Sequence, residues 1–97
     1  MSQPAEENSA HKLTFDRAKS DVNEQKHGLR LEDFKGFDAG TLLTLADERK
    51  DYGEFRYRSF GRINGLAHMI AFTIRNEELR LISFRRAHKK EMQRYGR

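Results

Sequence analysis

A chain of 97 residues supports one domain with a modest core, and its three tyrosines and seven phenylalanines are enough to build one. Charged residues make up 35% of it and cysteine is absent, which excludes a disulfide framework, a thiolate metal site and a cysteine nucleophile. The net charge of +4 is unevenly placed: residues 75–97 carry eight Lys or Arg against three Glu, while residues 1–74 carry eleven against twelve acids, so the carboxyl end attracts polyanions, nucleic acid foremost.

In chain order, residues 1–12 have no periodicity and no large apolar side chain after Met1, and they read as a flexible tail ahead of a domain over residues 13–97. The same stretch lacks a basic start and an apolar core, so it is no signal peptide. "LTF" predicts a short strand, and Asp16 caps a helix from about Arg17 to His27, closed by Gly28. Ala18 and Val22 define its expected inward face. Leu31, Phe34 and Phe37, three apart, predict a short second helix. "TLLTLA" (residues 41–46) predicts a strand, as does "FRYRSFGRI", where Phe55, Tyr57 and Ser59 alternate with Arg56 and Arg58 to oppose an apolar face to a basic one. Asn64-Gly65 predicts a tight hairpin turn into "AHMIAFTI", and "RNEE" turns the chain into "LRLISF". Alternation in this last strand assigns Leu79, Leu81 and Ser83 to one side and Arg80, Ile82 and Phe84 to the other. From Arg86 the period becomes helical, giving an amphipathic basic helix with Ala87, Glu91 and Tyr95 on one face. The class is α+β: a short N-terminal strand, two helices, an antiparallel β-meander and a C-terminal basic helix. The longest apolar-rich run, Leu66 to Ile74, is too short to span a bilayer, so no membrane association and a cytoplasmic location are expected.

Three stretches stand out. "FDRAKSDVNEQKHG" places an aromatic residue, an acid, lysines, an asparagine and Lys-His-Gly at fixed spacing; "DERKDYGEFR" concentrates charge between two strands; "RLISFRRAHKKEMQRY" joins a strand to the basic helix. Together they resemble, in the same order, the three motifs of the BrnT family of ribonuclease toxins, over residues 13–95; Phe15 stands where many members carry tryptophan, and the N-terminal tail is an addition. The resemblance implies a RelE-like fold and a toxin of a type II toxin–antitoxin pair, acting on RNA. It also implies a cognate antitoxin with a ribbon-helix-helix DNA-binding domain, and contact with operator DNA only through the complex.

Cleaving RNA without a metal needs a group to take the 2′-hydroxyl proton, cations for the charge that builds on phosphorus and a donor for the leaving oxygen. His27 and His88 would supply a two-histidine site, and an arginine-rich site with a lysine or carboxylate as proton carrier is equally allowed. The end of the first helix favours charged Lys26 and His27, which suits His27 to proton donation. The candidates for catalysis are therefore Lys26, His27, Arg49, Glu54, Arg75, Ser83 and Arg85, and those for RNA binding are Tyr52, Arg56, Arg80, Arg86, Lys89 and Lys90. The four acids of the middle motif raise the question of Mg²⁺, but Arg56 and other basic neighbours neutralise them, so no metal or other cofactor is expected. His68, inside an apolar strand, reads as a packed residue, and Tyr95 as core. A second reading of the same basic face is a non-catalytic module that binds nucleic acid or a protein partner.

Overall fold

The computed structural model describes residues 12–96 and orders them as β1 (Lys12–Phe15), α1 (Arg17–His27), one 3-10 turn (Leu31–Asp33), β2 (Leu43–Ala46), β3 (Tyr57–Ile63), β4 (Leu66–Arg75), β5 (Glu78–Arg86) and α2 (Lys89–Tyr95). The tail expected over residues 1–12 lies, apart from Lys12, outside the described residues. The result is a mixed α+β domain: a five-stranded sheet in the order β1-β5-β4-β3-β2, antiparallel except where β1 runs parallel to β5, with two helices. Among the described residues no helix is long and apolar enough to cross a membrane.

Local signals fix the ends of α1. The Asp16 carboxylate accepts from the Ala18 N–H at 2.9 Å, and Gly28, at φ 77°, donates its N–H to the Glu24 carbonyl at 2.8 Å. The face that α1 buries differs from the apolar pair expected. Val22 is 47% exposed and Ala18 is exposed, whereas Ser20 and Asn23 are buried. The reason is a shortage of strand: β1 covers the outer edge of β5 only from Glu78 to Leu81. Beyond that point the Asn23 side chain takes over. Its amide donates to the Phe84 carbonyl at 2.7 Å and to the Leu29 carbonyl at 2.8 Å, and its oxygen accepts from the Phe84 N–H at 3.1 Å. Ser20 similarly accepts from the Leu31 N–H at 3.0 Å and donates to Glu32. Polar side chains face inward because backbone groups there have no strand partner.

β3, β4 and β5 form the expected meander, turned by Asn64-Gly65 and by Asn76-Glu77, all with positive φ. Several strand limits differ from the expected ones, among them the start of β2 at Leu43 rather than at Thr41. Pairing in β3 begins at Tyr57, which leaves Phe55 outside the strand and 84% exposed, and β5 runs on to Arg86, so α2 starts only at Lys89. Alternation in β5 is also broken. Phe72 pairs with Leu81 but Ala71 pairs with Ser83, so Ile82 is an extra residue in a β-bulge. The bulge returns Phe84 to the same face as Leu79 and Leu81 and turns Ser83 and Arg85 to the opposite one, reversing the assignment of Ser83 and Phe84 made from strict alternation.

One sheet face carries the main core: Ile70, Phe72, Leu81 and Phe84, with Tyr57, Ile63 and Leu79 packed beside them. The segment after α1 covers it. The spacing of Leu31, Phe34 and Phe37 yields only a single turn, after which the chain is extended, yet all three reach the core. Phe34 meets Phe37 and Phe84 edge-on at centroid distances of 5.0 and 5.4 Å. Phe37 lies so close on β3 that a Cβ at Gly61 would stand 2.6 Å from its ring. The opposite, open face is closed at one end by α2, whose Tyr95 stacks on Phe60 at 5.0 Å.

Replacing Asn23 by Ala strands two Phe84 backbone groups in a buried setting and is expected to cost about 2–4 kcal/mol, while Val22→Ala stays within about 0.5 kcal/mol. Equilibrium urea unfolding of the two variants beside the parent measures the contrast.

Candidate active site

The register places Arg58, Phe60, Met69, Thr73, Arg75, Arg80, Ser83 and Arg85 on the open face, which is therefore the basic one. Most of the expected site residues fall on it or at its borders, in three groups. At the exit of β5, Lys26, His27 and Ser83 border one recess of about 420 Å³. Arg85 stands beside it, close enough that its charge and that of His88 act on His27. Asn23 is the cause: it bonds to Phe84, and His27 lies one turn farther along the same helix face.

This setting changes the chemistry of His27. Partial burial, then the charges of Arg85, Lys26 and His88, lower its pKa below the usual 6.5. The helix terminus favours imidazolium, but lost hydration and the neighbouring charges outweigh it. The lowered pKa favours the neutral imidazole, and with it proton acceptance over the donation expected from the helix position. Arg85 is held by both carboxylate oxygens of Glu91, at 2.9 Å each, and Glu91 also accepts the His88 N–H at 2.7 Å. The hydrogen bonds from Arg85 bring the Glu91 carboxyl down to about 2.

At the other end of the sheet, Glu54, Arg56, Arg75 and Arg80 border a second recess, with Lys19 on the helix side. Glu54 accepts from Arg75 at 2.7 Å and lies 3.6 Å from Arg56, so its carboxyl sits below the ordinary range and makes a weak base. Arg75 is opposite Glu78 and Arg85 opposite Met69, which separates the two arginines by six residues of β4, about 20 Å.

The third group is at the β2 edge. Asp47 is buried and takes Arg49 in a bidentate grip, at 2.7 and 2.8 Å, with the Tyr52 hydroxyl at 3.3 Å. The hydrogen bond from Arg49 lowers the Asp47 carboxyl to about 2. The Tyr52 ring is covered by Arg56, whose guanidinium is 4.1 Å from the centroid. Arg49, Arg75 and Arg85 therefore do not meet in one pocket. Lys89 and Lys90 are exposed on α2, and Arg86 turns to the opposite face, where it donates to the Ala67 carbonyl. His68 is packed as expected, 5.5 Å from the Phe84 ring, whereas Tyr95 is only half-buried. Among the described residues no three His, Asp or Glu side chains come together as a metal-ligand set.

Three participants escaped the sequence reading. Asn23 hides as a polar residue on a helix read by its apolar spacing. Asp47 looks like one more loop acid, and Glu91 was grouped with Ala87 and Tyr95. The His88-x-x-Glu91 spacing, an acid at the third helical position, is the signal that would have found Glu91.

Asp47 is expected to stabilise the fold above its ordinary pKa of 3.8 and to lose that contribution as pH falls toward 2, because its folded value is the lower one. Asp47→Asn should cost about 2 kcal/mol at pH 7, with the gap to the parent closing between pH 4 and pH 2 in urea unfolding.

A family model described as "Ribonuclease toxin, BrnT, of type II toxin-antitoxin system" matches residues 15–91, which take in α1, the Asp47 loop, the whole meander and the start of α2. No curated protein and no solved structure matches the chain. The matched span holds every residue of the three groups, and the chain belongs to the BrnT family of ribonuclease toxins of type II toxin–antitoxin systems.

Proposed function

We propose that the protein is a metal-independent endoribonuclease of RelE-like architecture that cleaves RNA in the cytoplasm and thereby inhibits translation. A cognate antitoxin with a ribbon-helix-helix domain silences it, and the complex binds operator DNA. The family supplies the coarser statement, a ribonuclease toxin with an RNA substrate and a protein antitoxin. The observation that carries the finer reading is the recess that Lys26 and His27 of α1 share with Ser83 of β5, near enough to Arg85 and His88 for both to act on His27.

In this mechanism neutral His27 takes the proton from the ribose 2′-hydroxyl, and the 2′-oxygen attacks the adjacent phosphorus. Arg85, exchanging Glu91 for the phosphate, holds the charge that builds there, with Lys26 beside it. His88, exposed at the start of α2, donates a proton to the departing 5′-oxygen. The products are a 2′,3′-cyclic phosphate and a free 5′-hydroxyl, so protons and charge balance without water. Ser83 orients the phosphate from the floor of the recess. Arg75, set by Glu54, continues the track along the open face with Arg80, Arg56 and Tyr52; Lys89 and Lys90 flank it from α2, Arg49 borders it at the β2 edge, and Arg86 lies outside it. Support for a metal-free reaction comes from the acids themselves, since Asp47, Glu54 and Glu91 are each engaged by arginine.

Cleavage of a labelled RNA is expected to persist in EDTA and to fall by about 10²–10³-fold in Arg85→Ala, the scale of losing one oxyanion partner. Loss of activity in EDTA, or equal rates for the variant and the parent, would defeat the proposal. Because the His27 pKa is lowered and the base must be neutral, the acid limb of kcat/KM should lie below pH 6.5 and should disappear in His27→Ala.

A further inference from the structure

Arg58 is a cation on the open face that the mechanism does not use. It sits mid-strand in β3, paired with Ala71, and its side chain is only 12% exposed. A guanidinium this far from water is ordinarily neutralised by a carboxylate. Here the nearest, Asp47, is committed to Arg49 and Tyr52 and stands 3.9 Å from Arg58 Nε. Nε is buried and makes no hydrogen bond. The remaining neighbours are aromatic: the Phe60 and Tyr95 rings lie 5.6 and 5.8 Å from the guanidinium and stack on each other. Arg58 is therefore held beside two rings and shares a single carboxylate with Arg49, which leaves the group of three with net positive charge.

It opens onto a recess of about 600 Å³ between the sheet and α2, whose other wall carries Lys90, Glu91, Gln93, Arg94 and Tyr95. Glu91, the one acid of that lining, is taken by Arg85. Among the described residues, three cations thus surround a space whose one acid is already paired. Arg58, Ala71 and Ser83 lie in one row across β3, β4 and β5, so the recess begins two strand spacings, about 10 Å, from the Ser83 side of the site.

We infer that Arg58, with Lys90 and Arg94, forms a phosphate subsite that grips the RNA backbone beside the scissile link. The inference rests on the ribonuclease reading. A phosphodiester fits better than a lone carboxylate, because it presents two non-bridging oxygens to a planar guanidinium already set by two rings and has a chain to continue along the basic face. The subsite grips backbone and not bases, so it adds affinity without sequence preference.

The test uses the full chain and a labelled, uncleavable 2′-O-methyl RNA oligonucleotide, titrated over a range of salt. Arg58→Met keeps the stem packing on Phe60 and Tyr95 and is expected to raise Kd about tenfold for every sequence tried. It should also flatten the slope of log Kd against log salt by about 0.7, the signature of one lost phosphate on a single strand. Arg58→Lys should restore the slope and only part of the affinity. An unchanged Kd and slope in Arg58→Met overturn the subsite, as does a variant that loses only antitoxin binding, which would make Arg58 a protein contact. Should Arg58→Met fail to fold, the surface double variant Lys90→Gln/Arg94→Gln must flatten the slope, and its failure to do so counts equally against the proposal. Cleavage of unmodified RNA by the parent is read separately: its absence defeats the ribonuclease reading, whereas the salt slope speaks to the subsite alone.

Discussion

One buried carboxamide holds the arrangement together. β1 leaves the outer edge of β5 uncovered after Leu81, and the Asn23 side chain bonds to both backbone groups of Phe84 where another strand would otherwise have to run. That contact fixes how far along β5 the helix sits. It therefore decides which β5 residues the last turn of α1 meets, and brings Lys26 and His27 to the strand exit that carries Ser83 and Arg85. An apolar side chain at position 23 would bury more carbon and leave two backbone groups unpaired, a poor exchange in a buried setting.

The β-bulge at Ile82 is the second constraint. Without the extra residue, the face that holds Phe84 in the core would not be the one that holds Leu81 there, and Ser83 and Arg85 could not both turn outward. A small domain gains from this device. One nine-residue strand contributes to a packed core along most of its length and still delivers two candidate site side chains to the open face at its end.

Charge on that face is organised in matched pairs. Arg49, Arg75 and Arg85 each rest on a carboxylate, and the acids Asp47, Glu54 and Glu91 are held ionised by them. Such pairs stabilise the fold modestly, yet they fix guanidinium groups in defined orientations, and a phosphate can replace a carboxylate in the same geometry. Arg58 departs from this pattern. It shares Asp47 with Arg49, at the longer distance of 3.9 Å, so positive charge is in excess at the centre of the face.

Much of this was readable from the chain alone. Asp16 and Gly28 bound α1, Asn64-Gly65 sets the main hairpin, Arg58 lies opposite Tyr57 by alternation, and the ordered motifs point to the family that the comparison shows. These features depend on neighbours within a few residues, and local sterics and hydrogen bonding decide them. The inward face of α1, the return of Phe84 to the core and the lowered pKa of His27 come only from tertiary structure. Each follows from contacts between residues distant in the chain: Asn23 with Phe84, Ala71 with Ser83 across the bulge, and His27 with Arg85 and His88. Periodicity records which residues are apolar, whereas an unpaired backbone edge or a neighbouring cation exists only once the strands are in register, because hydrogen bonds and charges act over a few ångströms of space and not along the sequence.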